Sequence, residues 1–347
     1  MYIKRILILL SILVACGLGY FSYFIYQSLF VSNTAFDEES VSVYIQSDAD
    51  YGEVLLQMDT LLKNWESFDL VAQKKGYSQH VKPGHFVLKK GMNNNEIVDV
   101  LRSQNTPITL TFNNQERLQD LAGRISQQIE ADSLSLINVM TDTTFLKKHD
   151  FNKENAMAMY IPNSYEFYWN TSAEKFRERM LEEYQRFWTP ERLEKAQQIN
   201  LSPKEVITLA AIVQKETAKV SERRRVAGVY MNRLKKGWPL QADPTVIYAI
   251  KKEKQDFDTV IKRVLDKDLT IESPYNTYLN ASLPPGPIFM PDISSIDAVL
   301  NYEKHDYFYF AADVDRWGYH KFARTLRQHN INAREYQSYL NKHGVRR

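Results

Sequence analysis

Pro203-Lys-Glu205-Val-Ile-Thr-Leu209-Ala-Ala-Ile212-Val213-Gln-Lys-Glu216-Thr217 is the stretch on which the reading of this chain turns. Leu209, Ile212 and Val213 stand at i, i+3 and i+4, one face of an α-helix, and Glu216 takes the i+7 place on the same stripe. The start of the helix is well marked: Ser202 is placed to cap it, Pro203 suits the first helical position, and Glu205 completes a Ser-x-x-Glu capping box. A glutamate on such a stripe is either paired, with Arg223, Arg224 or Arg225 as the nearest candidates, or chemically active. Burial against the hydrocarbon of the stripe disfavours the ionised form. It therefore moves the carboxyl toward the range where it can donate a proton at neutral pH.

The sequence beyond the helix narrows that choice. Val226-Ala-Gly-Val-Tyr230-Met-Asn232-Arg233-Leu234 is followed by Leu240-Gln241-Ala-Asp243-Pro-Thr-Val-Ile-Tyr248, then by Ser273-Pro-Tyr275-Asn276-Thr-Tyr278 and Leu283-Pro-Pro-Gly286-Pro-Ile288. His320-Lys-Phe322-Ala-Arg-Thr325, with His329-Asn330 beyond it, closes the series. Together with Ile212-Val-Gln-Lys-Glu216-Thr217, these ordered blocks resemble the YceG-like family, the endolytic murein transglycosylases. The resemblance implies an enzyme, a lyase that cuts peptidoglycan glycan strands internally, with Glu216 as its acid/base and no cofactor. It also implies that peptidoglycan synthases are possible partners. Two departures stand out. The family often has an acidic residue where Gln214 stands, and its Gly-Tyr-Leu-x-Pro-Asp-Thr-Tyr block reads here Met159-Tyr160-Ile161-Pro162-Asn163-Ser164-Tyr165-Glu166. The second bears on local turn geometry or substrate contacts; Gln214 points off the Glu216 face.

The amino terminus fits an exported protein. Ile6 to Ile25 contains no charged residue and is long enough, at the helical rise, to cross a hydrocarbon core of about 30 Å. Lys4 and Arg5 precede it, and the first charges after it are Asp37, Glu38 and Glu39. The positive-inside bias then keeps the amino terminus in the cytoplasm and exports the rest, giving a single-pass protein of the bacterial cell membrane. A second reading takes Leu13-Val-Ala-Cys16 as a lipobox, with a lipidated Cys16 at the mature terminus. The apolar run continuing through Ile25 favours the uncleaved anchor.

Cys16 is the sole cysteine, so the chain forms no internal disulfide and no cysteine zinc site. Its seven histidines, from His80 to His343, are dispersed, and none stands in a His-Glu-x-x-His arrangement, so the sequence offers no metal site. A net charge of +2 gives no electrostatic case for nucleic acid. Neither a Gly-x-Ser-x-Gly elbow nor a phosphate-binding glycine loop is present. The Arg223 to Arg225 run reads as a solvated helix face.

The fold class expected is α+β in successive regions: an anchor over 1–28, a linker over 29–40, a module over 41–112, a mainly helical connector over 113–200 and a catalytic domain over 201–347. In the module, Val41 to Gln46 and Pro83 to Leu88 read as strands flanking helical spacing from Tyr51 to Gly76, and Ile108 to Phe112 reads as a further strand. In the family this portion resembles LysM, a fold that elsewhere binds N-acetylglucosamine; here it is either a glycan binder or a spacer. Tyr160, Tyr165, Phe167, Tyr168 and Trp169 in the connector are either core or a sugar-stacking cluster. In the last region, Tyr307 to Phe310 and Tyr319 to Ala323 read as a hairpin across Asp313 to Gly318.

Two-carboxylate hydrolysis needs a partner for Glu216, and Asp243 is the best local candidate, although its place before Pro244 suits an Asx turn or helix cap. A transglycosylase needs Glu216 alone. Asn232, Gln241, Tyr248, Tyr275 and Asn276 are the candidate substrate-binding residues, neutral donors and acceptors suited to hydroxyl and acetamido groups; Asn232 and Arg233 could equally pin the helix to the loop after it. The leading expectation is a membrane-anchored lytic transglycosylase leaving 1,6-anhydro-N-acetylmuramoyl ends. The alternatives are a non-catalytic peptidoglycan-binding scaffold and a muramidase-type hydrolase.

Overall fold

A computed structural model describes residues 2–342; Met1 and residues 343–347, which include His343 and the end of the expected catalytic region, lie outside it. The chain is a mixed helix and strand protein with an apolar helix at its start and two compact units.

Helix α1 (Tyr2–Phe30) is exposed along nearly its whole length and is the one described helix long and apolar enough to cross a membrane. Its Ser28 carbonyl accepts a 2.8 Å hydrogen bond from Asn94 Nδ2, and Asn33 Nδ2 donates to Asn94 Oδ1 at 2.7 Å.

The first unit runs to Leu110 and takes in Gln127–Ala131 and Tyr165–Ser172. Strands β1 (Ser40–Ile45) and β2 (Gly84–Lys89) pair antiparallel, Ser40 opposite Lys89 and Ile45 opposite Gly84. Between them in sequence lie α2 (Tyr51–Asp59) and α3 (Trp65–Lys74), and α4 (Asn94–Ser103) follows β2. The helical spacing from Tyr51 to Gly76 divides into α2 and α3, as a strand-helix-helix-strand reading expects, and Asn64 caps the second, accepting from the Ser67 N–H at 2.7 Å. Asp50 with Glu53, and Asn93 with Glu96, form capping boxes that fix where α2 and α4 begin. Val43, Phe68, Phe86, Leu88, Ile97 and Leu101 are fully buried and form the core.

The second unit comprises Thr111–Ser126, Asp132–Ser164 and the chain from Ala173. Strand β3 (Ile108–Phe112), which begins in the first unit, pairs with β4 (Asn163–Phe167), which ends in it, a short strand that the mainly helical reading of this region leaves out. Five helices, α5 (Leu118–Ser126), α6 (Ser133–Met140), α7 (Thr143–Lys148), α8 (Ala173–Phe187) and α9 (Pro190–Gln198), lead to α10 (Pro203–Glu216). The Ser202 cap, Pro203 and the Glu205 capping box are all in place at the start of α10. Its residues Val206 to Val213 are all buried, at the centre of this unit, packed by α11 (Val220–Lys235), α12 (Asp243–Lys254) and α13 (Ile293–Leu300). Gly228 lets α11 lie against the following chain: a Cβ there would meet the Glu303 carbonyl oxygen at 2.3 Å.

Arg223 is buried rather than solvated. It donates to Ser294 Oγ at 2.8 Å, while Arg224 donates to the Asn301 carbonyl and Arg225 pairs with Glu303, so the arginine run fastens α11 to α13 and the chain after it. The first strand of the hairpin begins two residues later than its sequence spacing indicates: β5 (Tyr309–Ala312) pairs antiparallel with β6 (His320–Ala323), Phe310 opposite Phe322, and α14 (Leu326–Lys342) packs on both strands.

Candidate active site

Glu216 is the last residue of α10, and its position follows from how that helix ends. Thr217 turns extended, and its hydroxyl donates to Glu222 Oε2 at 3.2 Å while accepting the Lys219 N–H at 3.1 Å, so the chain reverses into α11 within a few residues. The short connection lays α10 and α11 side by side and brings Tyr230 back to the glutamate: the Tyr230 hydroxyl donates to Glu216 Oε1 at 2.7 Å. Tyr230 is itself buried, edge-on to Phe310 at 5.9 Å.

A cleft of about 380 Å³ opens over this carboxylate. Arg233, Gln241, Asp243 and Tyr278 lie on its walls, and β5 adds Tyr309 and Phe310. Glu216 keeps some solvent contact at the cleft, but the packed surroundings strip most of its hydration. This burial pushes the carboxyl up to about 7; the Asp243 charge adds to the effect, and the Tyr230 hydrogen bond opposes it. The result is a carboxyl group that near neutrality is populated both as the acid and as the carboxylate that the Tyr230 hydroxyl stabilises. That is the state a proton donor to a glycosidic oxygen requires.

The walls are fixed by a small number of polar links. Glu222, 5% exposed, receives the His320 backbone N–H at 2.8 Å and contacts His320 Nδ1 at 2.7 Å, so one carboxylate joins the end of α10 to the β5–β6 hairpin. Burial works to raise the Glu222 carboxyl, yet the bonds from His320 outweigh it and hold it below the usual range. Its stabilising contribution is thus present above the ordinary glutamate range and lost as pH falls through the depressed value. Glu222→Gln should cost about 1–3 kcal/mol, because a buried hydrogen-bonding centre loses its charge-assisted partner. Thermal unfolding at neutral pH measures the loss, and it should shrink in acid.

Arg233 is buried and donates to the Phe308 carbonyl at 2.8 Å and the Leu240 carbonyl at 2.6 Å, anchoring the two segments that border the cleft. His329 stacks on Tyr309 at 5.4 Å, and burial pulls its pKa below the ordinary value, so it is neutral at pH 7.

Of the residues singled out in the sequence, Glu216 and Gln241 share this cleft, Gln241 exposed in a left-handed conformation with φ of 51°. Asp243 shares it too. It does not act as a cap: it is the first residue of α12, its neighbour Ala242 holds the cap position, and its Oδ1 accepts from the Tyr278 hydroxyl at 2.6 Å. Asn232 lies outside the lining and donates to the carbonyls of His305 at 2.7 Å and Tyr307 at 2.9 Å. Asn276 is fully buried, holding the carbonyls of Leu269 and Ile271 at 2.9 Å each. Gln214 points away from Glu216 and grips the start of α13, accepting the Asp292 N–H at 2.6 Å and the Ser295 hydroxyl at 2.9 Å.

Tyr248 and Tyr275 line a different, larger cavity of about 680 Å³, their rings 4.7 Å apart. Its Glu154 accepts from Tyr275 at 2.8 Å and pairs with Lys252; these bonds outweigh burial and hold its carboxyl low. An acid ionised so readily is a poor proton donor at neutral pH. The described residues contain no group of three His, Cys, Asp or Glu that could hold a metal.

Tyr230, Arg233, Leu240, Tyr278, Tyr309, Phe310, Leu326 and His329 are the lining residues that sequence reasoning did not select as site residues. Tyr230 lies about three turns into α11, a separation that local spacing does not tie to the end of α10.

A buried acid at an open, polar cleft on a mixed helical scaffold is an arrangement suited to proton transfer. The YceG-like family model matches residues 43–335, and the chain belongs to that family. It is 32% identical over 322 residues to the endolytic murein transglycosylase of Bacillus subtilis (strain 168), covering 87% of this chain and 86% of the relative. The endolytic murein transglycosylase of Streptococcus pneumoniae serotype 2 is 27% identical over 368 residues, and the match spans 96% of this chain but 65% of that protein. The crystal structure of a YceG-like protein from Listeria monocytogenes superposes with a TM-score of 0.55 at 26% identity, covering 85% of this chain and 99% of that one.

Proposed function

We propose that this chain is a membrane-anchored endolytic lytic transglycosylase that cleaves the N-acetylmuramic acid to N-acetylglucosamine bond inside peptidoglycan strands. The observation that carries the reading is Glu216, buried at the floor of the cleft, bonded to Tyr230 and pushed up to about 7 by that burial.

In the first step Glu216 gives its proton to the glycosidic oxygen as the C1–O bond breaks, and the N-acetylglucosamine end leaves as an alcohol. Charge develops at C1 in an oxocarbenium-like state, which the substrate's own acetamido oxygen can steady. The glutamate is now a carboxylate, stabilised by the Tyr230 hydroxyl. It takes the proton from the muramic acid 6-hydroxyl, whose oxygen bonds to C1. The product is a 1,6-anhydro end, no water is consumed, and Glu216 recovers its proton. One carboxyl group therefore serves both steps.

A muramidase-type hydrolysis is the second reading, and one observation favours it: Asp243 lies in the same cleft and is held by Tyr278. Tyr278 and the placement of Asp243 fit equally well with a residue that binds sugar hydroxyls. Incubation of the full-length protein with purified strands, followed by sizing, tests the endolytic part: average length should fall before disaccharides accumulate. Early release of terminal disaccharides with long strands persisting would oppose it.

The first module, from about Val41 to Phe112, is assigned in this reading as LysM-like, contributing glycan affinity above the membrane, with peptidoglycan synthases as possible partners. Helix α1 is assigned as a single-pass anchor with the catalytic part outside the cytoplasm; its length, its lack of charge after Arg5 and its exposed apolar surface support this. A reporter active only outside the cytoplasm, fused after Arg347, should be active, and the mature protein should retain Met1 to Cys16. An acylated Cys16 at the mature terminus would replace the anchor with a lipoprotein.

A further inference from the structure

Tyr309, on the wall of the cleft over Glu216, has an exposed aromatic ring as its neighbour. Helix α11 ends at Lys235, Gly237 turns left-handed with φ of 65°, and the Trp238 N–H donates back to the Arg233 carbonyl at 2.9 Å. This turn is ordered by hydrogen bonds. It presents Trp238 at 42% exposure, with its ring 5.0 Å from Phe308 and 6.4 Å from Tyr309.

Tyr309 lines the cleft, so the three rings form a continuous shelf leading outward from the catalytic carboxylate. Within it Tyr309 is already engaged, stacked by His329 and approached by the Arg233 guanidinium at 5.3 Å, whereas Trp238 retains free surface. The exposed Gln241 stands three residues on in the chain, beyond Pro239 and the buried Leu240, and lines the cleft, its Oε1 accepting from Arg233 Nη1 at 3.4 Å. A flat ring beside an amide suits the apolar C–H face and the acetamido group of an N-acetylated pyranose. The ring gains contact area at low entropic cost, and the amide satisfies the polar edge.

We propose that Trp238 is the platform of an outer sugar subsite, taking an N-acetylhexosamine ring of the glycan strand beyond the residues held at Glu216. The proposal rests on the reading of the cleft as a glycan-cleaving site, and it names what holds the part of the strand that is not being cut. Binding energy taken from remote sugars favours attack within a strand over attack at its end, so the subsite selects for length.

The test uses the full-length protein in detergent and glycan strands sorted by length. Trp238→Ala should raise KM for long strands about tenfold, more than it lowers kcat, and should raise KM for the shortest cleaved strands less, the pattern of lost binding shared by ground and transition states. Trp238→Phe, which keeps a flat ring, should recover most of the affinity. Equal effects on long and short strands, or no effect of Trp238→Ala, would overturn the proposal. A parallel arm measures strand binding in the Glu216→Gln background with and without Trp238→Ala. If the unaltered protein cuts nothing, the functional reading fails, and this arm alone decides the shelf: a tenfold loss of affinity for long strands supports it, and unchanged affinity rejects it.

Discussion

Glu216→Gln should lower the rate of strand cleavage by roughly 10²–10⁴-fold while leaving strand binding in place, because the amide keeps the shape of the acid but cannot give up and recover a proton. The variant should also gain stability in a defined pH window. The folded-state pKa of Glu216 is raised from the ordinary 4.5 to about 7 by burial. A raised carboxyl contributes its full stability below the unfolded value and loses it as pH rises through the folded one. The substituted amide never ionises, so the variant should match the parent below about pH 4.5 and unfold at higher temperature above about pH 7. Thermal unfolding across pH measures this. A glutamate with a structural role gives the opposite sign: the substitution would destabilise at neutral pH and leave appreciable turnover.

The second large effect is on the pH profile. With Glu216 as the only acid/base, kcat/KM should be level on the acid side of about pH 7 and fall tenfold per pH unit above it, because the free enzyme must begin with the acid protonated. Tyr230→Phe removes the hydroxyl that donates to the ionised form, so the carboxyl becomes a weaker acid and the basic limb moves to higher pH. Turnover should fall too, since the carboxylate formed in the first step loses its hydrogen bond. A bell-shaped profile that loses its acid limb in Asp243→Asn would show a second carboxylate at work. A basic limb that moves down in Tyr230→Phe would contradict the assigned hydrogen bond.

Glu216 was legible because helices advertise themselves locally. A cap, an N1 proline and a spacing of three and four residues place it on the stripe, and Leu209, Ile212 and Val213 are indeed fully buried. Gln241 and Asp243 were within reach for a similar reason, since they adjoin the start of α12. The other walls of the cleft were not legible. Tyr309, Phe310 and His329 are brought in by a hairpin and helix some ninety residues or more after Glu216, and nothing in local periodicity encodes that return. Strand β4 is five residues long and carries Asn163 and Ser164, so its pairing with β3 decides its state where propensity does not.

Asn232 and Asn276 teach a related lesson. A side-chain amide suits a sugar and a backbone carbonyl equally well, and in this chain both asparagines are occupied by backbone carbonyls. The arginine run was ambiguous in the same way. Its charges suggest a solvated face, but α13 and the chain after it present a hydroxyl, a carbonyl and a carboxylate that convert them into fasteners.

Mass spectrometry of the new ends made by the full-length protein on purified peptidoglycan strands tests the central claim most directly. One carboxyl acting through the muramic acid 6-hydroxyl predicts 1,6-anhydro-N-acetylmuramoyl ends, with no oxygen taken from labelled water. Reducing ends that carry one solvent-derived oxygen would contradict it.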